Sequence, residues 1–365
     1  MKRLAFMMFF LMLGLVCVVL ADEAIGVFAN FNTNCIQFIN PLTNEVSPPL
    51  LAGELGYAGL GLSDVAITSD GKTAVVGNFY YGEIFFIDIS AGFCCEPVIL
   101  GNIRLYLWVQ DMAITPDDKY VLVTGKGYYS NAVSSYVAVI YITGRNLVAV
   151  NNLGSYMFAD AVAITPDGQT VVVADNVSGS VHAYTLLDDG RMIHKKKVRL
   201  WPFCPTNVSI SPDGKTVILP ISVHSACVTL YFDDLGELHF RKIVSMPAKD
   251  GQSCVFSSDG TKAYYISHSQ EKGTMVVVLN VTGPGEVSPS GTTISLPRRG
   301  FGMFFGVDTI ALDPAENYLY VSNPPSWRAL NGIDVIDLAT STRVDSIKGT
   351  GYPIGIAFAT IAESE

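Results

Sequence analysis

The chain repeats one phrase of eight residues, and this repeat constrains its fold more than any other feature. The clear copies read DVAITSDG at 64–71, DMAITPDD at 111–118, AVAITPDG at 161–168 and NVSISPDG at 207–214. Weaker copies read SCVFSSDG at 253–260, TIALDPAE at 309–316 and a truncated GIAFAT at 355–360. Successive copies begin 47, 50, 46, 46, 56 and 46 residues apart. This period allows four short strands per unit and is typical of β-propeller blades.

Each repeat has the pattern of a small antiparallel sheet. A short apolar strand leads into a Pro-Asp-Gly turn, in which Pro restricts φ and Gly permits positive φ. A strand such as TAVVGN at 73–78 completes the hairpin, and a third such as EIFFIDI at 83–89 precedes a fourth. We therefore predict an all-β fold, a seven-bladed β-propeller of four-stranded antiparallel blades.

The two ends of the chain complete one blade. Residues 355–360 supply only a first strand, whereas residues 26–46 supply only the later strands of a unit. A blade built from both ends closes the ring by backbone hydrogen bonds and removes exposed strand edges. We expect residues 22–365 to form this single propeller domain.

The N-terminus has the pattern of an export signal. Lys2 and Arg3 precede an uncharged run over residues 4–20, and Ala21 supplies a small residue for cleavage. Residues 1–21 are therefore predicted to be a signal peptide. The mature chain would be secreted, extracellular or at the cell surface, with the periplasm as another compartment, and would not span a membrane.

Composition excludes two classes of protein. With 49% apolar and 15% charged residues, the chain can bury a large core and is not disordered. Removal of residues 1–21 leaves 21 basic against 33 acidic residues. This net charge of about -12 opposes a phosphate backbone, so we expect no nucleic-acid partner.

Two segments resemble repeats of the YVTN family of seven-bladed propellers. They read VFANFNTNCIQFINPLTNEV at 27–46 and YLYVSNPPSWRALNGIDVIDLATSTRVDSIKGTGYPIGIAF at 318–358. The resemblance covers nearly all of residues 24–361 and implies a propeller with relatives among bacterial and archaeal cell-surface proteins. The fold is also similar to lactonase-type and electron-transfer propellers. The copies at 253–260 and 309–316 depart from the family pattern in their turns.

Aromatic residues concentrate in the loops that should share one face of the ring. These are the loops between blades and the corners between second and third strands. Such rings stack on sugars, peptide side chains or apolar ligands, although single rings can instead fill space between blades. The predicted binding face comprises Tyr57, Tyr106, Trp108, Tyr128, Tyr156, Phe158, Trp201, Phe203, Phe301, Phe304, Trp327 and Tyr352.

Acidic residues stand where several inner strands should begin, near the mouth of the central channel. The candidate metal ligands are Asp64, Asp111, Asp160 and Asp308. A ring of carboxylates suits calcium, which prefers six to eight oxygen ligands, and no other cofactor is implied. The alternative is that each carboxylate accepts backbone N–H bonds at its own strand entry or pairs with a nearby Arg or Lys.

Catalytic and cofactor motifs are absent from the sequence. It contains no GxSxG, HExxH, CxxCH or GxxxxGK[ST] pattern. Its five histidines are scattered. His224 and His268, in corners of adjacent blades, are the one pair placed to meet, and exposed corner residues are the preferred explanation for them. Six cysteines follow the signal, and their pairing is left open.

Three functional hypotheses remain. The leading one is an exported, non-enzymatic binding or scaffold protein whose aromatic face binds a protein or glycan partner or self-associates. The first alternative is a lactonase-like hydrolase, in which the ring of Asp residues polarises a ring ester. The second is a structural subunit of an extracellular assembly.

Overall fold

The computed structural model describes residues 24–51, 61–93, 96–127, 134–154, 158–269, 273–296, 309–323, 332–348, 351 and 353–362. Within these ranges, all regular secondary structure is β-strand. The strands form seven antiparallel sheets, which are the seven blades of a propeller. The predicted fold is confirmed.

The strands follow the repeat, with bounds as follows. The N-terminal strands are β1 (Ala24–Asn30), β2 (Cys35–Ile39) and β3 (Leu50–Leu51). Blade 1 contains β4 (Leu62–Ile67), β5 (Thr73–Asn78), β6 (Glu83–Asp88) and β7 (Val98–Arg104). Blade 2 contains β8 (Leu107–Ile114), β9 (Tyr120–Gly127), β10 (Ser134–Tyr141) and β11 (Asn146–Gly154). Blade 3 contains β12 (Ala159–Ile164), β13 (Thr170–Asp175), β14 (Ser180–Leu186) and β15 (Met192–Arg199).

The remaining blades have the same order. Blade 4 has an inner strand in two pieces, β16 (Cys204–Pro205) and β17 (Ser209–Ile210), followed by β18 (Thr216–Ser222), β19 (Ala226–Phe232) and β20 (Leu238–Ser245). Blade 5 contains β21 (Gly251–Phe256), β22 (Lys262–Ser269), β23 (Gly273–Gly283) and β24 (Glu286–Ser295). Blade 6 contains β25 (Ile310–Leu312), β26 (Tyr318–Asn323), β27 (Gly332–Asp337) and β28 (Thr342–Lys348), and the last strand is β29 (Pro353–Thr360).

Blade 7 joins the two ends of the chain, as predicted. Its strand order is β29-β1-β2-β3, with Ala24 opposite Thr360 and Phe28 opposite Ile356. Beyond β29, the N–H of Ala362 donates to the carbonyl of Asp70 in blade 1, at 2.9 Å. The C-terminal segment is therefore held by blades on both sides of the closure.

The core lies between neighbouring blades. Val171, Val172 and Val173 are consecutive residues of β13, and each is fully buried. Because both faces of every blade pack against another blade, the second strands are continuous apolar runs without alternation. Val173 packs toward blade 2, whereas Val172 packs toward blade 4.

The hydrogen bonds of the turn at the end of each repeat phrase explain why the phrase contains a hydroxyl residue, an Asp and a Gly. In blade 3, the Thr165 hydroxyl donates to Asp167 (2.5 Å) and accepts from the N–H of Thr170 (3.0 Å). Asp167 also accepts from the N–H of Gln169 at 3.0 Å. The same arrangement forms around Thr68, Thr115, Ser211 and Ser257 in blades 1, 2, 4 and 5. Gly168 follows Asp167 with a φ of 72°, a conformation that favours glycine.

Two blades place an acid at this glycine position. Asp118 has a φ of 55° and Glu316 a φ of 53°, in a region that costs a non-glycine residue about 1 kcal/mol. Both carboxylates reach the turn of the preceding blade. Asp118 accepts from the N–H and the hydroxyl of Ser69 at 2.8 and 2.6 Å, and Glu316 accepts from the N–H of Ser258 at 2.5 Å. The unusual turns therefore link neighbouring blades.

Candidate functional site

A β-bulge recurs where the inner strands begin, at the face that carries the loops between blades. In blades 1, 2, 3 and 5, the pairing of the first two strands skips one residue. The skipped residues are polar and almost completely buried: Ser63, Gln110, Asp160 and Gln252. A bulge redirects side chains and is frequent next to functional sites. The bulges thus place buried polar groups at this end of the channel.

The residues of the predicted acidic ring do not occupy equivalent positions in their blades. Asp160 is the bulged residue of blade 3, whereas Asp64 and Asp111 lie one position after the bulge in their own blades. All three are buried, with exposures of 1%, 1% and 2% for Asp64, Asp160 and Asp111. Oδ2 of Asp111 accepts from the N–H of Val162 in the next blade at 2.7 Å. Asp111 therefore accepts a backbone hydrogen bond from the next blade and not at its own strand.

The calcium site stays a prediction. Its fourth proposed ligand, Asp308, lies outside the described residues. Within the described ranges, no group of three or more His, Cys, Asp or Glu side chains could hold a metal ion.

A second buried carboxylate lies beside Asp160. Asp175 ends β13 directly opposite Ala159 and is fully buried. Its Oδ1 accepts from the N–H groups of Phe158 at 3.0 Å and Ser178 at 3.1 Å. Burial, and then the negative charge of Asp175, raise the pKa of Asp160 well above its usual value. Asp160 therefore retains its proton to a higher pH than an exposed carboxyl.

The central channel is apolar beyond these groups. Residues from the inner strands of all seven blades line a cavity of about 470 Å³, among them Val65, Ala113, Ile164 and Val255. Most of the lining side chains are apolar, and Ser209 and Ser211 add two hydroxyl groups.

Part of the predicted aromatic face forms one cavity. Tyr106 and Trp108 line a space of about 170 Å³ between blades 1 and 2, together with Tyr80, Tyr81 and the cationic residues Arg104 and Lys126. The Lys126 ammonium lies 5.0 Å from the centre of the Phe158 ring, a cation–π distance. Two of the predicted face residues, Tyr106 and Trp108, thus line one cavity, and a third, Phe158, packs against a lysine of its wall.

Trp201 and Phe203, two further members of the predicted face, differ in their exposure to solvent. Trp201 is 73% exposed, whereas Phe203 is half-buried against the core between blades 3 and 4. Phe203 therefore fills space between blades. The other predicted members of the face lie outside the described residues: Tyr57, Tyr128, Tyr156, Phe301, Phe304, Trp327 and Tyr352.

The histidines that meet were not anticipated. Nδ1 of His182 lies 3.3 Å from Nε2 of His194, on neighbouring strands of blade 3. The pair that the sequence places in adjacent corners, His224 and His268, is not tested, because the side chain of His268 is outside the described part of the chain. Alternation along β14 places Ser180 and His182 on one face of the strand, but the sequence contains no signal that His194 meets His182.

Comparisons with known proteins establish the fold. No protein-family model matches the chain, and neither does any curated protein sequence, so membership of the YVTN family is not confirmed. Solved structures match over nearly the whole chain. A functionally unknown protein from Desulfotomaculum acetoxidans has a TM-score of 0.78 and 18% identity, over 92% of this chain and 98% of its own.

Two further matches carry lactonase names. A putative 6-phosphogluconolactonase from Bacteroides uniformis has a TM-score of 0.69 and 14% identity, over 93% of this chain and 100% of its own. The periplasmic gluconolactonase of Pseudomonas aeruginosa has a TM-score of 0.72 and 15% identity, with the same coverage of 93% and 100%.

These names correct the leading functional hypothesis. The interpretation as a non-enzymatic binding or scaffold protein is wrong, because the hydrolase alternative agrees better with structural neighbours named as lactonases. The predicted protein or glycan partner is tested by none of the comparisons. No helix in the described ranges is long and apolar enough to cross a membrane. At these identities the likeness shows the fold alone: a seven-bladed propeller with structural neighbours of the lactonase-like type.

Proposed function

We propose that the chain is a hydrolase that opens a sugar-acid lactone at the loop face of its channel. The observation that carries this proposal is the buried pair of carboxyl groups, Asp160 and Asp175, at the bulged start of an inner strand. The names of two structural neighbours, a putative 6-phosphogluconolactonase and a periplasmic gluconolactonase, support the same substrate class.

The two carboxyl groups suit the two proton transfers of lactone hydrolysis. Water loses a proton as it attacks the carbonyl carbon, and the ring oxygen gains a proton as its bond to that carbon breaks. A carboxyl with a raised pKa can give a proton near neutral pH, whereas an ionised neighbour can accept one. Asp160 fits the donor, because burial and Asp175 raise its pKa. Asp175 fits the ionised partner, because two backbone N–H groups bind its Oδ1.

Export of the protein is part of the proposal. The charged start and apolar run of residues 1–21 support a cleaved signal peptide. A structural neighbour that is named as periplasmic agrees with this compartment.

The assay uses the chain without residues 1–21 and measures initial acid release from gluconolactone and from 6-phosphogluconolactone. Hydrolysis of at least one lactone should exceed its spontaneous rate, and Asp160→Asn should reduce that excess by about 100-fold or more. The exposed Asp234 supplies the matched control, Asp234→Asn, which should leave the rate unchanged. A folded protein without excess rate on either lactone, or an equally active Asp160→Asn variant, would overturn the proposal. Repeating the assay with a chelator tests the predicted calcium ion.

A further inference from the structure

An unbroken row of hydrogen bonds crosses blade 3 from Asp175 to the surface. Oδ2 of Asp175 accepts from the Ser178 hydroxyl, which is also hydrogen-bonded to the Ser180 hydroxyl. Oγ of Ser180 lies 3.1 Å from Nε2 of His182, and Nδ1 of His182 lies 3.3 Å from Nε2 of His194. Both nitrogens of His182 therefore have a partner in the row.

Strand geometry explains why these residues meet. Ser180 and His182 are two residues apart on β14 and share one face of the strand, and Ser178 lies in the turn that leads into it. His194 lies opposite Tyr184 on the next strand, where the pairing shifts by one residue. The Tyr184 ring packs against both imidazoles, with ring centres 6.2 Å from His182 and 5.2 Å from His194. This packing keeps the imidazoles in place.

All bonds of the row can point the same way. A hydroxyl and a neutral imidazole each donate one hydrogen bond and accept another, whereas an ionised carboxylate only accepts. With Asp175 ionised, Nε2–H of His194 donates to Nδ1 of His182, and Nε2–H of His182 donates to the Ser180 hydroxyl. The Ser180 hydroxyl then donates to Ser178, and the Ser178 hydroxyl donates to Asp175. Both imidazoles are then in the Nε2–H tautomer.

Burial and charge suit the row for proton transfer. Asp175 and Ser180 are fully buried and His182 is 6% exposed, whereas His194 is exposed. Burial, followed by the charges of Lys197 and His194, lowers the pKa of His182 to about 4, against the opposing charge of Asp175. His182 is therefore neutral at pH 7 and able to pass on a proton without storing a charge.

We propose that this row is a proton relay between solvent at His194 and the Asp175–Asp160 pair. Inward transfer begins when Nδ1 of His194 takes a proton from water. Each group then gives its own proton to the next, Asp175 gains one at Oδ2, and both imidazoles become Nδ1–H tautomers. Outward transfer reverses every step, so one proton moves and no group is consumed.

The purpose of the relay rests on the proposed function. Hydrolysis of a lactone yields a carboxylic acid that ionises at neutral pH, and the proton released beside the buried carboxyls has to reach solvent. The relay provides this exit after the hydroxyls rotate and both imidazoles take up the Nδ1–H tautomer, so that Asp175 can donate its proton to Ser178.

The first test needs no substrate and therefore decides the relay independently of lactonase activity. Nitrogen NMR of the histidine-labelled chain at pH 7 should show His182 and His194 both as Nε2–H tautomers. Opposite tautomers in the two rings would break the His182–His194 bond of the row and overturn the proposal.

A matched pair of variants adds a second test. Ser178 is only partly buried, so Ser178→Ala removes one hydroxyl of the row and Ser178→Thr retains it. Ser178→Ala should populate the Nδ1–H tautomer of His182, and Ser178→Thr should keep the wild-type tautomers. If lactone hydrolysis is found, Ser178→Ala should lower kcat about tenfold or more at unchanged KM, and Ser178→Thr should restore it. Wild-type tautomers in Ser178→Ala would contradict the relay even in an active lactonase.

Discussion

Asp160 links the folding stability of the protein to pH. Its pKa is raised in the folded protein by burial and by Asp175. Between the ordinary pKa of a carboxyl and this raised value, the folded chain binds more protons than the unfolded chain. The stability that Asp160 contributes is therefore fully present below pH 4 and is lost as the pH rises through the folded-state pKa.

We predict that Asp160→Asn stabilises the protein more at pH 8 than at pH 4. The amide has nearly the shape of the carboxyl but carries no charge that burial could penalise. Calorimetric melting temperatures of the variant and the wild type at both pH values measure the effect. The exposed control Asp234→Asn should show no such trend, and a benefit of Asp160→Asn that shrinks with rising pH would contradict the assignment.

Single residues also show where prediction from sequence reaches its limit. Asp64 and Asp111 begin a repeat phrase and Asp160 directly precedes one, and all three are buried. Asp160 stands one residue before its repeat phrase and occupies the bulge, whereas Asp64 and Asp111 begin their phrases and follow the bulge. A shift of one residue reverses the facing of a side chain. The alignment of the repeat phrases shows this offset, but it contains no signal for the bulge.

At the level of elements, the turn after each inner strand is determined by local hydrogen bonds. The hydroxyl of Thr165, the carboxylate of Asp167 and the positive φ of Gly168 form one unit within a few residues. Blades 4 and 5 build the same unit with Ser211 and Ser257. The hydroxyl is thus the shared requirement, and the methyl group of Thr is not.

We predict that Thr165→Ala lowers the free energy of unfolding by about 1–3 kcal/mol, because the buried N–H of Thr170 loses its hydroxyl partner. Thr165→Ser should cost much less, since it restores the arrangement of blades 4 and 5. Denaturant unfolding of the two variants makes the comparison. Equal destabilisation by Ala and Ser would show that packing of the methyl group is responsible instead.

At the scale of the whole molecule, β29 is the strand on which closure of the ring depends. It pairs with β1 and contacts β4 and β25, the inner strands on either side. At Gly355 a Cβ atom would lie 2.5 Å from the carbonyl oxygen of Ser63, so only glycine allows β29 and β4 to approach this closely.

We predict that deletion of residues 349–365 prevents stable folding. The deletion exposes the edge of β1 and removes the buried side chains of Ile354 and Ile356. A peptide of residues 351–362 added to the truncated chain should restore its thermal transition, whereas the same peptide with Asp at 354 and 356 should not. An unchanged melting temperature of the truncated chain would contradict closure by β29.

The sequence by itself determined the number of blades, their strand order and the joining of the two ends. These features depend on a regular period and on turns whose bonds span only a few residues, so they can be recognised along the chain. The aromatic face was assigned by the same reasoning and stays a prediction. Tyr106 and Trp108 line one cavity, and Phe158 packs against Lys126 of its wall.

Only the tertiary structure decided which polar groups act together. Asp160 meets Asp175 because a bulge offsets two paired strands, and His182 meets His194 because a shift in pairing aligns their rings. Each contact joins residues more than ten positions apart, and each depends on an offset of a single residue. Such an offset leaves the apolar pattern and the repeat period unchanged, so it becomes visible only when the strands are paired.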